Sequence, residues 1–208
     1  MGITYHQKQR YALLPSFLLC AFCLCNDITH AESTIVLDIA QQSYSVGQYI
    51  EVLRDPNASI TIQELTRPDA DYPFEISPQK EINLGRTVSN YWFRFRLTNP
   101  LDSPQQLLLE ITNPNLINIS LYQKVSSLSG ETQWQVKTDG VGTPISKRDI
   151  NYRYLVFKVL VPPQGTHDYY LHMPPQLITT LPITLWHTED FAEHNFDRYY
   201  FYGVYYGA

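Results

Sequence analysis

The chain has 208 residues, 15 of them basic and 20 acidic, for a net charge of −5 with histidine neutral. That length suits one domain of ordinary size plus an extra segment rather than two full domains. A mildly acidic chain offers no general basic field for nucleic acid or anionic lipid, so nucleic-acid binding is set aside.

Residues 1–31 read as a secretory signal. Lys8 and Arg10 form a basic start, Tyr11 to Cys25 is an apolar run broken by Pro15, and Thr29-His30-Ala31 offers a cleavage site after Ala31. The run is short for a membrane span of about 20 residues. Cys20, Cys23 and Cys25 are the only cysteines, so cleavage leaves no disulfide, no thiol nucleophile and no cysteine metal site. The remainder holds 13 basic and 19 acidic residues, because the leader removes Lys8, Arg10 and Asp27. A domain of that size buries roughly 70% of its unfolded surface and is stabilised by its core alone.

From Ile35 to Leu185, short runs of alternating apolar residues are separated by Pro, Asn, Asp and Gly, the pattern of an all-β sandwich or barrel. Strands are expected near Ile35–Ile39, Tyr49–Leu53, Ser59–Ile62, Tyr91–Thr98 and Gln106–Thr112. Five more follow near Ile117–Gln123, Thr132–Thr138, Arg153–Val161, His167–Met173 and Pro182–His187. The longest stretch without a clear strand, Gln63 to Asn90, carries Pro68, Pro73 and Pro78. A loop of such length is a functional cover or holds structure of its own, and a short helix is expected around Ile62 to Leu65.

Alternation sorts the faces. Leu155, Phe157, Val159 and Val161 share one face, opposite Tyr154, Val156 and Lys158; Ile117, Ile119 and Leu121 form another inward set. In Asn90 to Pro100, Phe93, Phe95 and Leu97 alternate with Trp92, Arg94 and Arg96. The first three are expected in the core.

After Trp186 the pattern changes. Thr188 can cap a helix with Glu189 and Asp190 in its first turn, favourable at the positive end of the helix dipole. Beyond Arg198 the chain is uncharged and rich in tyrosine, as where a helix passes from water into lipid headgroups. Residues 188–208 therefore read as a juxtamembrane helix and the start of a membrane helix. Its ten residues reach about 15 Å, half of a hydrocarbon layer of about 30 Å, so the chain reads as a fragment or a truncated product. A packed amphipathic helix is the alternative.

Several stretches together, "IEVLRDP", "YWFRFRLTNP", "LLLEITNPNLINISLYQ", "DGVGTPISKRDINYRYLVFKV" and "LPITLWHTEDFAEHNFDRYYFYGVYYGA", are similar to one family. The chain resembles the second type of extracellular domain of bacterial seven-transmembrane receptors with diverse intracellular signalling modules, the 7TMR-DISM receptors, over about Ile35 to Ala208. Trp92, Arg94 and Asn99, the Leu121-Tyr122 pair, and the series Gly140, Arg148, Phe157 carry the likeness, with Gly203 and Gly207 a weak addition. The resemblance implies a periplasmic jelly-roll β-sandwich at 32–187, similar to carbohydrate-binding modules, which feeds a seven-helix membrane unit. Such a unit usually precedes a cytoplasmic output such as a diguanylate cyclase or histidine kinase, and none can be assigned to this chain.

Enzyme motifs are missing: there is no Gly-x-Ser-x-Gly elbow, no His-Glu-x-x-His and no Gly-rich phosphate loop. Glu110, Asp139 and Asp168 are carboxylates whose separation in space decides any glycosidase role; no catalytic residue is assigned and no cofactor is expected. His187, Glu189, Asp190 and His194 lie within eight residues and form either a zinc site or a polar collar above the membrane. Asp55, Asn57, Asp69 and Asp71 lack the spacing of a calcium loop, so metal is left unknown.

Ligand binding is better supported, because sugars bind to aromatic faces and fixed polar groups. Trp92, Arg94 and Arg96 form a floor for a sugar or carboxylate, through ring stacking and the guanidinium fork, or else Arg94 ties down a loop through its carbonyls and Trp92 is packed beneath Gln63–Asn90. Tyr122 and Trp134 join them as candidates. Arg148 is either a loop-presented contact or a solvated charge.

The expectation is an exported sensor domain, tethered to the inner membrane by its C-terminal helix, that binds a small, carbohydrate-like ligand. Its rivals are a free carbohydrate-binding or adhesive protein, and a structural domain that contacts another periplasmic protein or its own copy as a homodimer.

Overall fold

The computed structural model describes Gly2 and residues 34–77, 79–126, 131–176 and 180–195. Apart from Gly2, the expected leader lies outside these residues, as do the tyrosine-rich end and its Gly203 and Gly207. The described residues from Thr34 onward form one compact unit.

In chain order the unit holds β1 (Thr34–Val36), β2 (Ser43–Ser45), β3 (Glu51–Asp55), α1 (Ile62–Leu65), β4 (Glu75–Ile76), β5 (Ile82–Asn83) and β6 (Asn90–Asn99). There follow β7 (Gln105–Ile111), β8 (Ile119–Ser126), β9 (Thr132–Asp139), β10 (Leu155–Val161), β11 (Gly165–Met173), β12 (Thr180–Leu181) and β13 (Ile183–His187). Residues 188–195 are helical.

The strands form a seven-stranded sheet in the order β4-β3-β6-β11-β8-β9, with β1 added beside β6, and a four-stranded sheet in the order β10-β7-β13-β2. β5 and β12 pair by themselves. The ten-residue β6 is shared along one edge: β3 pairs antiparallel with Asn90 to Arg94, and β1 pairs parallel with Arg96 to Thr98. Thirteen strands among the described residues, nearly all antiparallel, make the chain mostly β and sandwich-like.

The period-two pattern builds the core. Phe93, Phe95 and Leu97 are at most 1% exposed, and with Leu121, Tyr169 and Leu171 they face Leu107, Leu109, Phe157, Val159 and Leu185. Fully burying each such side chain stabilises by about 1.5–3 kcal/mol. Asn99, also in this strand, has no exposure. Its Nδ2 donates to the carbonyls of Ser103, Val161 and Pro162 at 2.9, 3.3 and 3.0 Å, and its Oδ1 accepts from Leu101 N at 3.0 Å. One amide side chain thus satisfies the backbone of two neighbouring turns.

Each sheet also has a second apolar cluster on its outer face. On the smaller sheet, Leu108, Val156 and Tyr152 receive Phe191 from the helix at 188–195, with Ile150, Tyr154 and Trp186 around them. Glu110 is 2% exposed there, and Trp186 Nε1 donates to its Oε2 at 3.0 Å.

The sequence-based expectations differ from the structure at identifiable places. Ser59–Ile62 is not a strand; it leads into α1, where Thr61 and Glu64 form a reciprocal capping box. α1 spans the residues expected of it. Ile117 is 59% exposed because β8 starts only at Ile119, so Ile119 and Leu121 alone of that set point inward. Thr188 is already helical, and its hydroxyl donates to Gln106 O at 3.1 Å. The strands β2, β4, β5 and β12 have two or three residues each, too few for a visible period.

Candidate functional site

The outer face of the larger sheet carries the residues that alternate with the core. Register sets Leu53, Trp92, His172, Ser120 and Thr138 side by side across β3, β6, β11, β8 and β9. The next row is Glu51, Arg94, Tyr170, Tyr122 and Val136.

The chain after β3 folds back over half of this face. Asp55, 2% exposed, starts the turn: its two carboxylate oxygens accept from Ser59 N at 3.2 Å and Ile60 N at 3.0 Å. Ala58 adopts φ +53° at that turn. The capped α1 then lowers Ile62 and Leu65 onto Leu53, Trp92 and Tyr170, with Tyr72 and Phe74 behind. Trp92 is left 2% exposed, and its Nε1 has no hydrogen-bond partner among the described residues.

The arginines of β6 are engaged by acids. Arg94 Nε is paired with Glu51 Oε2, and its guanidinium lies 4.2 Å over the Phe74 ring. Arg96 lies 3.0 Å from Asp168 and 3.7 Å from Glu51. Trp92 is thus packed beneath the cover, and Arg94 meets the Glu51 carboxylate and the Phe74 ring.

Where the cover ends, a cavity of about 400 Å³ opens between it and the uncovered half of the sheet. Trp92, Tyr122 and Trp134 all line it, with His172, Asn90, Asp55, Val136 and the cover residues Ala58 and Ile60 to Gln63. Three of the six residues singled out in the sequence therefore meet there; Arg94, Arg96 and Arg148 do not line it. Trp92 supports the rest: its ring is 5.2 Å from Tyr122 and 4.5 Å from His172. Trp134 stands edge-on to Tyr170 at 5.7 Å, with Lys124 Nζ 5.2 Å from its ring. The volume lies within the range of small-ligand sites.

Burial sets the protonation of the lining. It pushes the His172 imidazole below its ordinary value, against a smaller upward pull from Asp55, and it raises the Tyr122 hydroxyl. In both groups burial favours the neutral form. His172, Gln63 and Asn90 escaped the sequence reading. Alternation along β11 is the signal that sets His172 on one face with Tyr170, but only the register puts it against Trp92.

Arg148 has a separate task. Its Nη1 and Nη2 donate to Tyr152 O and Gly140 O at 3.1 and 3.2 Å, and its Nε lies 3.3 Å from Asp139 Oδ1. It ties the β9–β10 loop. The three carboxylates weighed above have different partners: Glu110 has Trp186, Asp139 has Arg148 and Asp168 has Arg96. Among the described residues, no three of His, Cys, Asp and Glu gather to hold a metal. A wider cleft of about 500 Å³ opens beside β4, lined by Val52, Arg54, Glu75, Ile82 and Tyr91 among others, and holds none of the candidates from the sequence. No described helix is long and apolar enough to cross a membrane.

A family model, described as 7TMR-DISM extracellular 2, matches residues 47–187, from the turn before β3 to the end of β13. The search of curated proteins returned no match.

Proposed function

We propose, because the chain belongs to the 7TMR-DISM extracellular 2 family of receptor sensor domains, that the outer-face cavity is its ligand site and that the ligand is neutral and carbohydrate-like. The observation that carries this reading is the meeting of Trp92, Tyr122 and Trp134 around one cavity. Partly exposed Tyr122 and Trp134 offer ring faces to sugar C–H groups, while His172, Gln63 and Asn90 offer hydrogen bonds to hydroxyls. No lysine or arginine is among the lining residues, and Arg94 and Arg96 already hold Glu51 and Asp168. A carboxylate ligand would lack the guanidinium fork it needs.

In this reading the sandwich is of jelly-roll type, exported to the periplasm and tethered through the segment after residue 195 to a membrane unit and its cytoplasmic output. Ligand then acts by its different affinity for two arrangements of the receptor. The helix at 188–195 is the element that passes on the difference, since Phe191 and Trp186 seat it on the smaller sheet.

A thermal-shift screen of the exported chain against mono- and oligosaccharides, amino acids and carboxylates tests the site. A shift with a neutral saccharide, abolished by Trp134→Ala in a chain of unchanged secondary structure, is the expected result. A shift confined to carboxylates, or one that survives Trp134→Ala, overturns the reading.

A further inference from the structure

We propose that one end of the sandwich is a docking surface for an anionic phospholipid bilayer. This end is formed by the loops at 84–89, 112–118, 140–148 and 174–176, which adjoin the start of β6, β8 and β10 and the end of β11.

Four aliphatic side chains stand out from these loops: Val88 is 82% exposed, Ile117 59%, Val141 61% and Ile145 57%. The loops that hold them are bound to one another and have little freedom to turn these tips inward. Thr87 N donates to Gln176 O at 3.2 Å, and the buried Gln176 side chain accepts from Ile117 N at 3.0 Å and donates to Asn118 O at 2.8 Å. Val141 N donates to Leu116 O at 2.9 Å. A Cβ on Gly140 would lie 2.1 Å from Ile117 O, so only glycine permits this approach. An apolar cluster held outward in this way marks a contact surface.

Charge selects the occupant. The four loops contain no aspartate or glutamate, although the whole chain has a net charge of −5. Arg86 and Lys147 are exposed among the tips. Of the nearest acids in sequence, Asp139 is engaged by Arg148 and Asp149 by Lys137, while the exposed Glu81 precedes the first loop by three residues. Overall charge argued against an anionic lipid surface; the fold gathers an acid-free end that the average conceals. Aliphatic tips flanked by cations suit the headgroup and acyl boundary of an anionic leaflet. A twofold contact between two copies through this end would set one cationic patch against the same patch of the other copy.

The helix at 188–195 lies close to the same loop system. β13 ends at the opposite end of the sandwich, yet the helix turns back over the smaller sheet, with Phe191 5.3 Å from Tyr152. The Tyr152 carbonyl is bound by Arg148, at the close of the loop that carries Ile145. A domain of a membrane receptor family is held beside a bilayer, so even weak affinity suffices to orient it.

The test uses the full chain with Cys20, Cys23 and Cys25 changed to serine, reconstituted in vesicles of phosphatidylethanolamine and phosphatidylglycerol. An environment-sensitive dye is attached at Ile145→Cys or, for the opposite end, Ile39→Cys. Blue-shifted emission at 145 but not at 39 is expected. R86Q and K147Q should each weaken the docking equilibrium about fivefold, since each basic residue near such a surface counts for about that factor. A water-like dye at 145, an equal shift at 39, an equal shift in purely zwitterionic vesicles, or a concentration-dependent shift without vesicles would each overturn the proposal, the last in favour of a second copy.

Discussion

Arg148 Nε lies 3.3 Å from Asp139 Oδ1, with the arginine side chain 12% exposed and the aspartate side chain 4%. Asp139 also accepts from Gly140 N at 2.7 Å, so one buried carboxylate gathers the end of β9 and the loop that follows. Removing the cation leaves that charge without its partner in a dry site. Arg148→Ala is expected to destabilise by about 3 kcal/mol, measured by urea denaturation, with ligand binding at the outer-face cavity retained by the folded fraction. A change below about 0.5 kcal/mol, the usual range of surface substitutions, would return Arg148 to the class of solvated charges.

The two tryptophans of the cavity should separate by stability. Trp92→Ala removes a ring packed under α1 and is expected to cost about 3–5 kcal/mol. Trp134 is only half-buried on edge strand β9, so Trp134→Ala should cost about 1 kcal/mol. Equal losses for both in chemical denaturation would contradict the difference in burial.

Asn99→Ala should be costly although no apolar packing is lost. Three carbonyls lose a donor and Leu101 N loses its acceptor. Unsatisfied buried groups cost about 1–3 kcal/mol each where water cannot reach them, and about 2 kcal/mol in total is expected. Hydrogen exchange should show faster exchange at Leu101 while the amides of β8 keep their protection.

His172 makes a pH prediction. Burial lowers its pKa from the ordinary 6.5, so below that value the unfolded chain takes up the proton more readily than the folded one. Stability is therefore lost as pH falls through 6.5 toward the lowered folded value, and is level above it with respect to this group. His172→Gln should reduce the slope of stability against pH below about 6.5, read from denaturation midpoints of the two chains at matched pH. Identical slopes would show that the imidazole is solvated.

Much of the fold was legible because strand alternation is a local property. Phe93, Phe95 and Leu97 are identified as core by their neighbours alone, and a short helix is expected at Ile62 to Leu65, although its cap residue Thr61 reads as strand. The candidate site was legible only in part: Trp92, Tyr122 and Trp134 could be nominated as aromatic, but not placed together, since they sit on β6, β8 and β9.

What the amino-acid order determined by itself is the inward and outward faces of long strands such as β6 and β10, and the absence of cysteine beyond Cys25. Only the tertiary structure decided who meets whom. Glu51 reaches Arg94 across 43 positions of chain, Asp168 reaches Arg96 across 72, and His172 lies against Trp92 through the register of β11 on β6. A side chain's face follows from a period of two residues, whereas its partner follows from strand order and register, which the whole core sets at once.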